Sequence, residues 1–233
     1  DRHNRGGTSV VTPPEQERSM SEDVQPSLVR INEPAPDFTA VTTQGDLTLS
    51  SLRGKWVVLF SHPADFTPVC TTEFVEFAKH SEDFAQRNVQ LIGLSIDSVY
   101  SHIAWIRNIE QNFGVTIRFP VIADLDMKVA HLYGMIHPGA ATTAAVRCVF
   151  IIDDKGIVRA MVYYPLTNGR SIPEILRLVD ALQTHDKHNV ATPANWCPGQ
   201  KVIVKPPLTQ EAAAKRLEEG YELKDWYFAQ KDL

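Results

Sequence analysis

Residues 59–74 read LFSHPADFTPVCTTEF, and the way this stretch joins its two flanks decides the fold. An apolar run, Trp56 to Phe60, ends in a polar loop, Ser61 to Val69. That loop delivers one cysteine, Cys70, to the start of a segment with helical spacing, Thr71 to Asn88, carried by Phe74, Phe77, Ala78 and Phe84. A second apolar run, Val89 to Ile96, follows directly. Strand, helix and strand in this order predict a β-α-β unit with a parallel pair, and such units place their functional loop at the carboxyl end of the first strand. Cys70 falls in that loop, at a helix mouth. Unsatisfied backbone N–H groups and the positive end of the helix dipole there favour a thiolate over a thiol.

Working outward, Thr39 to Thr48 resembles a hairpin around Gln44-Gly45, preceded by an extended stretch from Pro34 to Phe38. After the unit, Val99 to Phe113 predicts a helix with Ile103, Ile106 and Ile109 on one face. Phe119 to Ala123 is a short strand, Met127 to Tyr133 a short helix, and His137 to Ala145 a loop of small residues. Ala145 to Asp153 and Val158 to Tyr164 read as antiparallel strands joined at Asp154-Lys155-Gly156. Ser171 to Thr184, with Ile172, Ile175, Leu176, Val179 and Leu182, closes the core as an amphipathic helix. The outline is an α/β sandwich.

The two ends have a different texture. Residues 1–27 are polar and without apolar periodicity, which predicts a flexible leader, with Met20 a candidate native start. A main domain is expected over 28–186 and a C-terminal arm over 187–233. In the arm, Val190 to Pro207 is proline-rich and expected to be largely irregular, and Thr209 to Glu219 is a helix with Thr209 as N-cap. The aromatic cluster Tyr221, Trp226, Tyr227 and Phe228 should pack on the main domain or, preferably, on a partner subunit.

Composition narrows the function classes. The 233 residues fit one large domain, or a domain of ~170 residues with an appendage. A net charge of −5 without a dense basic run disfavours nucleic acid and anionic membrane surfaces as partners. No run approaches the ~18 apolar residues of a membrane span, and no secretory signal layout is present. Three cysteines, Cys70, Cys148 and Cys197, without a CxxC pair argue against a disulfide scaffold or a zinc site. A reducing cytoplasm is the expected compartment. His131 and His137 read as ordinary loop histidines, and no glycine-rich phosphate loop follows a strand.

The segment His62-Pro63-Ala64-Asp65-Phe66-Thr67-Pro68-Val69-Cys70 resembles the active-site loop of the peroxiredoxins, with its pattern of Pro, three residues, Thr, two residues, Cys. Further similar motifs follow in order: Leu94-Ser95-Ile96-Asp97-Ser98, Phe119-Pro120 with Ala123-Asp124, Leu132-Tyr133-Gly134-Met135, Arg147 before Val149-Phe150-Ile151, and Tyr164-Pro165 with Asn168-Gly169-Arg170. The resemblance spans about Ile31 to Trp226. Ser61-His62-Pro63 and the tail with Val190-Ala191-Thr192-Pro193-Ala194-Asn195-Trp196 are similar to the one-cysteine type. It implies a thioredoxin-like fold, a central mixed sheet flanked by helices, with a C-terminal extension. It also implies a thiol-dependent peroxidase acting on hydrogen peroxide and organic hydroperoxides. No cofactor is expected, electrons come from an external thiol, and the chain forms a homodimer that can extend to a ring of dimers.

The resemblance assigns roles residue by residue. Cys70 is the nucleophile that cycles through sulfenic acid. Thr67 offers a hydroxyl that accepts from the peroxide, and Arg147, permanently cationic, favours the thiolate and donates to the peroxide oxygens. Pro63 shields the sulfur and stiffens the loop. Glu73 orients the arginine, Arg170 is a second, supporting arginine, and His62 either tunes the sulfur or donates a hydrogen bond to the site. Each has a bland alternative: a buried small hydrophobe for Cys70, a surface ion pair for Arg147, a loop cap for His62, and a structural pair for Glu73 with Arg170.

Two departures stand out. The resolving cysteine of two-cysteine relatives, found in a Val-Cys-Pro-Ala-Asn-Trp context, is replaced at Ala191-Thr192. Cys197, just after Trp196, is the candidate resolving thiol, and Cys148, beside Arg147, should point to the opposite face of its strand and be inert. A phospholipase serine of mammalian relatives has no counterpart, because the matching stretch reads Arg53-Gly54-Lys55-Trp56-Val57. Two other functions compete with peroxidase: a thioredoxin-fold disulfide oxidoreductase, disfavoured by the missing CxxC, and an oligomeric peroxide sensor or holdase.

Overall fold

The structure is a computed structural model that describes residues 28–233, so the expected leader lies outside the described residues. In chain order the elements are β1 (Thr39–Thr42), β2 (Gly45–Thr48), a 3-10 turn (Leu49–Leu52), β3 (Trp56–Ser61), α1 (Pro68–Lys79), α2 (Ser81–Gln86), β4 (Val89–Ser95), α3 (Val99–Phe113), β5 (Val121–Ala123), α4 (Lys128–Leu132), β6 (Arg147–Ile152), β7 (Val158–Tyr164), α5 (Ile172–His188), β8 (Val202–Val204), α6 (Gln210–Arg216), β9 (Glu222–Asp225) and β10 (Phe228–Lys231).

Seven strands form one mixed sheet in the order β2-β1-β5-β4-β3-β6-β7. The expected unit is present: β3 and β4 are parallel, with Leu59 opposite Ile92, and α1 and α2 make the crossover. β6 lies antiparallel on the other flank of β3, with Leu59 opposite Phe150, and β7 pairs antiparallel with β6. β3 is therefore central, which is why all six of its residues are buried and its sequence is continuously apolar rather than alternating.

The two-residue period sorts side chains to the two faces of the sheet. Val58, Phe60, Val149 and Ile151 pack with Cys70, Phe74, Phe77, Phe84, Trp105, Ile175 and Val179 under α1, α2, α3 and α5. Val57, Leu59, Cys148 and Phe150 pack on the opposite face with Val129 and Tyr133 of the α4 region. The helical face is bound to the sheet very closely at Gly93 of β4, where an added Cβ would stand 3.2 Å from the Phe74 ring. Phe60 in turn stacks on Phe77 with ring centroids 4.0 Å apart.

The structure corrects several expectations. The helical run Thr71 to Asn88 is two helices broken at His80, whose ring nitrogen pairs with Asp83 at 2.7 Å, while Ser81 Oγ donates to the carbonyl of Ala78. A cluster of short polar side chains competing for local backbone groups explains the break. In α3 the buried residues are His102, Trp105 and Ile109; Ile109 is inward and Ile106 partly so, as expected, but Ile103 is exposed. A histidine occupies an inward position there because a buried carboxylate partners it, which apolar periodicity cannot register.

The arm is more ordered than its prolines suggest. β8, β10 and β9 form a second, three-stranded antiparallel sheet, while Val190 to Pro207 is largely irregular as expected, apart from β8. Strands of three and four residues are too short to show a period. Val190, Trp196 and Val202 pack against Ala181 of α5 and tie the arm to the main sheet. Thr209 caps α6 as expected, its side chain accepting from Ala212 N at 3.1 Å.

Candidate active site

The loop after β3 enters α1 through Thr67, the N-cap, with Pro68 at the first helical position, where its missing N–H costs nothing. Cys70 lies in this first turn and is fully buried. The Thr67 hydroxyl donates to the carbonyl of Ala64 at 2.7 Å, which commits its proton and leaves its lone pairs as acceptors. Phe66, one residue earlier, has a left-handed backbone with φ 55° and an exposed ring. Pro63 and Thr67 are half-buried at the rim.

Strand alternation brings Arg147, the first residue of β6, to the Cys70 face. Its Nη1 donates to Cys70 Sγ at 3.2 Å and to Glu73 Oε2 at 2.8 Å, and its Nε and Nη2 donate to the carbonyl of Leu166 at 2.9 and 2.8 Å. Glu73 stands one turn after Cys70 and is buried as well. Arg170, just before α5, grips it three times: backbone N and Nε to Oε1, each at 2.8 Å, and Nη2 to Oε2 at 2.6 Å. The Nη1 of Arg170 donates to the carbonyls of Ser61 and Cys148 at 2.8 and 3.0 Å and so joins β3 to β6. Burial pushes the Glu73 carboxyl up, but the Arg170 charge and hydrogen bonds, with Arg147 behind them, outweigh it and hold the group below its usual range.

The charges in this pocket do not balance with Glu73 alone. Two buried guanidinium groups face one carboxylate, and an anion at Cys70 Sγ would complete the pairing. The sulfur thus lies beside the Arg147 guanidinium, 3.2 Å from its Nη1.

Cys148 is separated from this pocket by the sheet. It is fully buried, its sulfur 2.9 Å from the Ser61 hydroxyl, and burial pushes its thiol up to about 11. Cys197 is exposed in the loop after Trp196, and all three cysteines are free thiols. Its contacts are local: its backbone N donates to Gln200 Oε1 at 3.0 Å.

His62 belongs to a buried network that sequence reasoning did not single out. Asp65 is bracketed by two imidazoles, His62 Nε2 at 2.7 Å from Oδ1 and His102 Nδ1 at 2.7 Å from Oδ2, and Ser101 Oγ donates to Oδ2 at 2.9 Å. Burial pushes Asp65 up, yet the hydrogen bonds from His102 and His62 outweigh it and hold the carboxyl well below the usual range. Burial lowers His62, favouring its neutral form over the help that Asp65 gives the cation. The signal in the sequence was faint: an Asp three residues after His62, and a His at an inward position of α3. Among the described residues these three alone bring such atoms within 4.8 Å of one another, as a metal site would. Their facing atoms are already engaged in the hydrogen bonds above.

The chain matches the AhpC/TSA family model over residues 31–161 and the model for the C-terminal domain of 1-Cys peroxiredoxin over residues 181–220. The chain belongs to the peroxiredoxins. A peroxiredoxin of Aquifex aeolicus is 61% identical over 218 residues, covering 89% of this chain and 98% of that one. Peroxiredoxin 2 of Caldanaerobacter subterraneus is 58% identical over 208 residues, covering 88% and 94%. Among solved structures, the yeast mitochondrial 1-Cys peroxiredoxin superposes with a TM-score of 0.80 at 42% identity, over 88% of this chain and all of that one. Peroxiredoxin 6 of Arenicola marina gives 0.79 at 36% identity, over 88% and 98%.

The fold is accordingly thioredoxin-like with a C-terminal extension, and this peroxiredoxin is a thiol-dependent peroxidase, an oxidoreductase acting on peroxide. Peroxides are its substrate class, and its reductant is external. Among the described residues no helix is long and apolar enough to cross a membrane.

Proposed function

We propose that Cys70 is the peroxidatic thiolate and that Thr67, Arg147 and Pro63 form the peroxide site around it. The observation that carries this is the charge imbalance beside the sulfur: Arg147 and Arg170 against Glu73 alone. The thiolate attacks one oxygen of ROOH, the O–O bond breaks, Cys70 becomes a sulfenic acid and RO⁻ leaves to take up a proton. Thr67, its own proton committed to Ala64, accepts from the peroxide O–H, while Arg147 donates to the peroxide oxygens and to the charge that develops on the departing one. Glu73 and Arg170 keep the Arg147 guanidinium aimed, Pro63 covers the rim, and His62 serves the sulfur from the start of the loop. Hydrogen peroxide and small organic hydroperoxides are the substrates.

An external thiol then reduces the sulfenic acid, in a cytoplasmic enzyme that needs no bound cofactor. The yeast mitochondrial relative is resolved through glutathione and thioredoxin systems, so a small thiol and a thioredoxin-like protein are the donors to compare. Residues 28–186 make the peroxidase domain and 187–233 an arm whose exposed Trp226 and Tyr227 reach a partner in a homodimer, with rings of dimers as the larger assembly. A second reading makes Cys197 the resolving thiol, on the ground that it is exposed in the arm.

Intact mass after one equivalent of hydrogen peroxide tests both. One added oxygen in wild type and in Cys197→Ser, abolished by Cys70→Ser, supports the one-cysteine cycle. A Cys70–Cys197 disulfide lost in Cys197→Ser establishes the second reading, and an unreactive Cys70 overturns both.

A further inference from the structure

The segment from Pro165 to Ser171 joins β7 to α5 and anchors the Cys70 pocket at two points. The carbonyl of Leu166 accepts from Arg147 Nε and Nη2 at 2.9 and 2.8 Å, and the backbone N of Arg170 donates to Glu73 Oε1 at 2.8 Å. Between these anchors lie Thr167, Asn168 and Gly169, all exposed. Asn168 is the only asparagine of the chain that is followed by glycine. The two anchors are therefore joined by a dipeptide with chemistry of its own.

An asparagine side chain is an electrophile next to a nucleophile. The backbone nitrogen of the following residue attacks the side-chain amide carbon, the new N–C bond closes a five-membered succinimide, and ammonia leaves. Water then opens the ring at either carbonyl. One opening gives aspartate; the other gives isoaspartate, in which the main chain runs through the side-chain carbon. Nothing is oxidised or reduced, and water is the sole co-reactant. Asparagine is among the thermolabile residues, and a following glycine brings no side chain to hinder the attack.

Two features of the structure favour the reaction at this place. The Thr167 hydroxyl donates to Asn168 Oδ1 at 2.7 Å, which draws electrons from the amide carbon and stabilises the charge that develops on the oxygen as nitrogen adds. The Gly169 N–H donates to no acceptor among the described residues, so no hydrogen bond has to break before it reacts. Gly169 also backs onto α1: an added Cβ would stand 3.4 Å from Val69 Cγ1 and 4.0 Å from Glu73 Cγ. The chain has little room to shift there. Isoaspartate lengthens it by one carbon–carbon bond, about 1.5 Å, between Leu166 and Arg170. Aspartate keeps the original backbone and adds only an exposed charge, which water and salt screen.

We propose that Asn168-Gly169 is a site of spontaneous deamidation, and that its isoaspartate product pulls Leu166 and Arg170 out of register with Arg147 and Glu73 and so disables the peroxide site of an ageing molecule. The loss of activity rests on Cys70 and Arg147 acting as described above; the modification itself does not.

The test ages the reduced protein in mildly alkaline buffer and follows it by mass, peptide mapping, urea unfolding and peroxide kinetics. Wild type should gain about 1 Da, the difference between an amide and an acid, with the change mapped to position 168 and mostly isoaspartate. The isoaspartate fraction should unfold at lower urea and reduce hydrogen peroxide about 10²-fold more slowly, the effect of a misplacement on the order of 1 Å. Thr167→Val lacks the donor and should deamidate about three- to tenfold more slowly than wild type, but only while folded. Asn168→Gln, whose ring closure would need six members, should keep its mass and activity. Asn168→Asp has the charge without the longer backbone and should stay within about twofold of fresh wild type. The proposal is overturned if position 168 is still asparagine when a urea-unfolded control has deamidated there, or if isoaspartate forms with no change in rate or urea midpoint. Asn168→Asp as slow as the isoaspartate form also overturns it. A fresh wild type that consumes no peroxide sinks the reading of Cys70 instead, and the mapping and urea midpoints still decide the role of Asn168.

Discussion

Arg147 Nη1 reaches Cys70 Sγ at 3.2 Å across 77 positions of sequence, and the same nitrogen donates to Glu73 at 2.8 Å. One guanidinium nitrogen therefore divides its hydrogen bonding between the Glu73 carboxylate and the sulfur proposed as the reacting thiolate. The remaining nitrogens are tied to the carbonyl of Leu166, so the group cannot swing toward either.

Arg147→Met removes that donor while keeping bulk. The second-order rate constant for hydrogen peroxide should fall by about 10²- to 10³-fold, the range seen when one preorganised donor to a developing anion is lost. Stopped-flow consumption of peroxide measures it. A loss under about threefold would show that Arg147 is structural.

Glu73→Gln leaves two buried arginines without their counter-ion, and breaking a buried pair in this way costs about 3–5 kcal/mol. The pH dependence has a definite sign. The folded carboxyl is held below its unfolded value, about 4.3, so its stabilisation is present above that pH and is lost as pH falls toward the folded value. Denaturant midpoints from pH 7 downward should drop less steeply in Glu73→Gln than in wild type. Parallel curves would falsify the role of Glu73 as a buried anion.

Gly93→Ala puts a methyl group 3.2 Å from the Phe74 ring and 3.4 Å from the Phe60 ring. Both rings are locked in the core beneath α1, so overpacking should cost about 1–3 kcal/mol. It should also slow the reaction at Cys70, one turn from Phe74. Urea unfolding and peroxide kinetics on the same preparation would show whether the two effects move together.

Cys148 should be silent toward alkylating reagents in the native enzyme at pH 8. It is fully buried with its thiol pushed up to about 11, whereas Cys197 is exposed. Peptide mapping after brief iodoacetamide treatment should find Cys197 modified and Cys148 modified only after unfolding. Rapid native labelling of Cys148 would mean that the Ser61 side of the sheet opens.

Much of this enzyme is legible from the chain alone. The continuous apolar runs of β3 and β4 around a helical stretch specify a parallel β-α-β unit, because only a crossover can connect such strands. The loop between them places Cys70 at a helix start, with Thr67 and Pro68 as its cap and first residue. Period-two alternation along β6 is local geometry, and it predicts that Arg147 and Cys148 face opposite ways, as they do.

Relationships that cross between elements were decided by the tertiary structure. Apolar periodicity puts Ile103 inward on α3, but a buried hydrogen bond with Asp65 turns His102 inward instead, since the hydrogen bonds that compensate a buried polar side chain come from another element. The triple grip of Arg170 on Glu73 depends on how closely the start of α5 approaches α1. The short strands of the arm gain their order by pairing with one another, and three or four residues carry too little pattern to announce it. Sequence by itself determined on which face of the sheet each strand residue would lie, because that follows from the local period of two residues. Which of them meet, and with what charge between them, was decided only when distant segments packed around one desolvated sulfur.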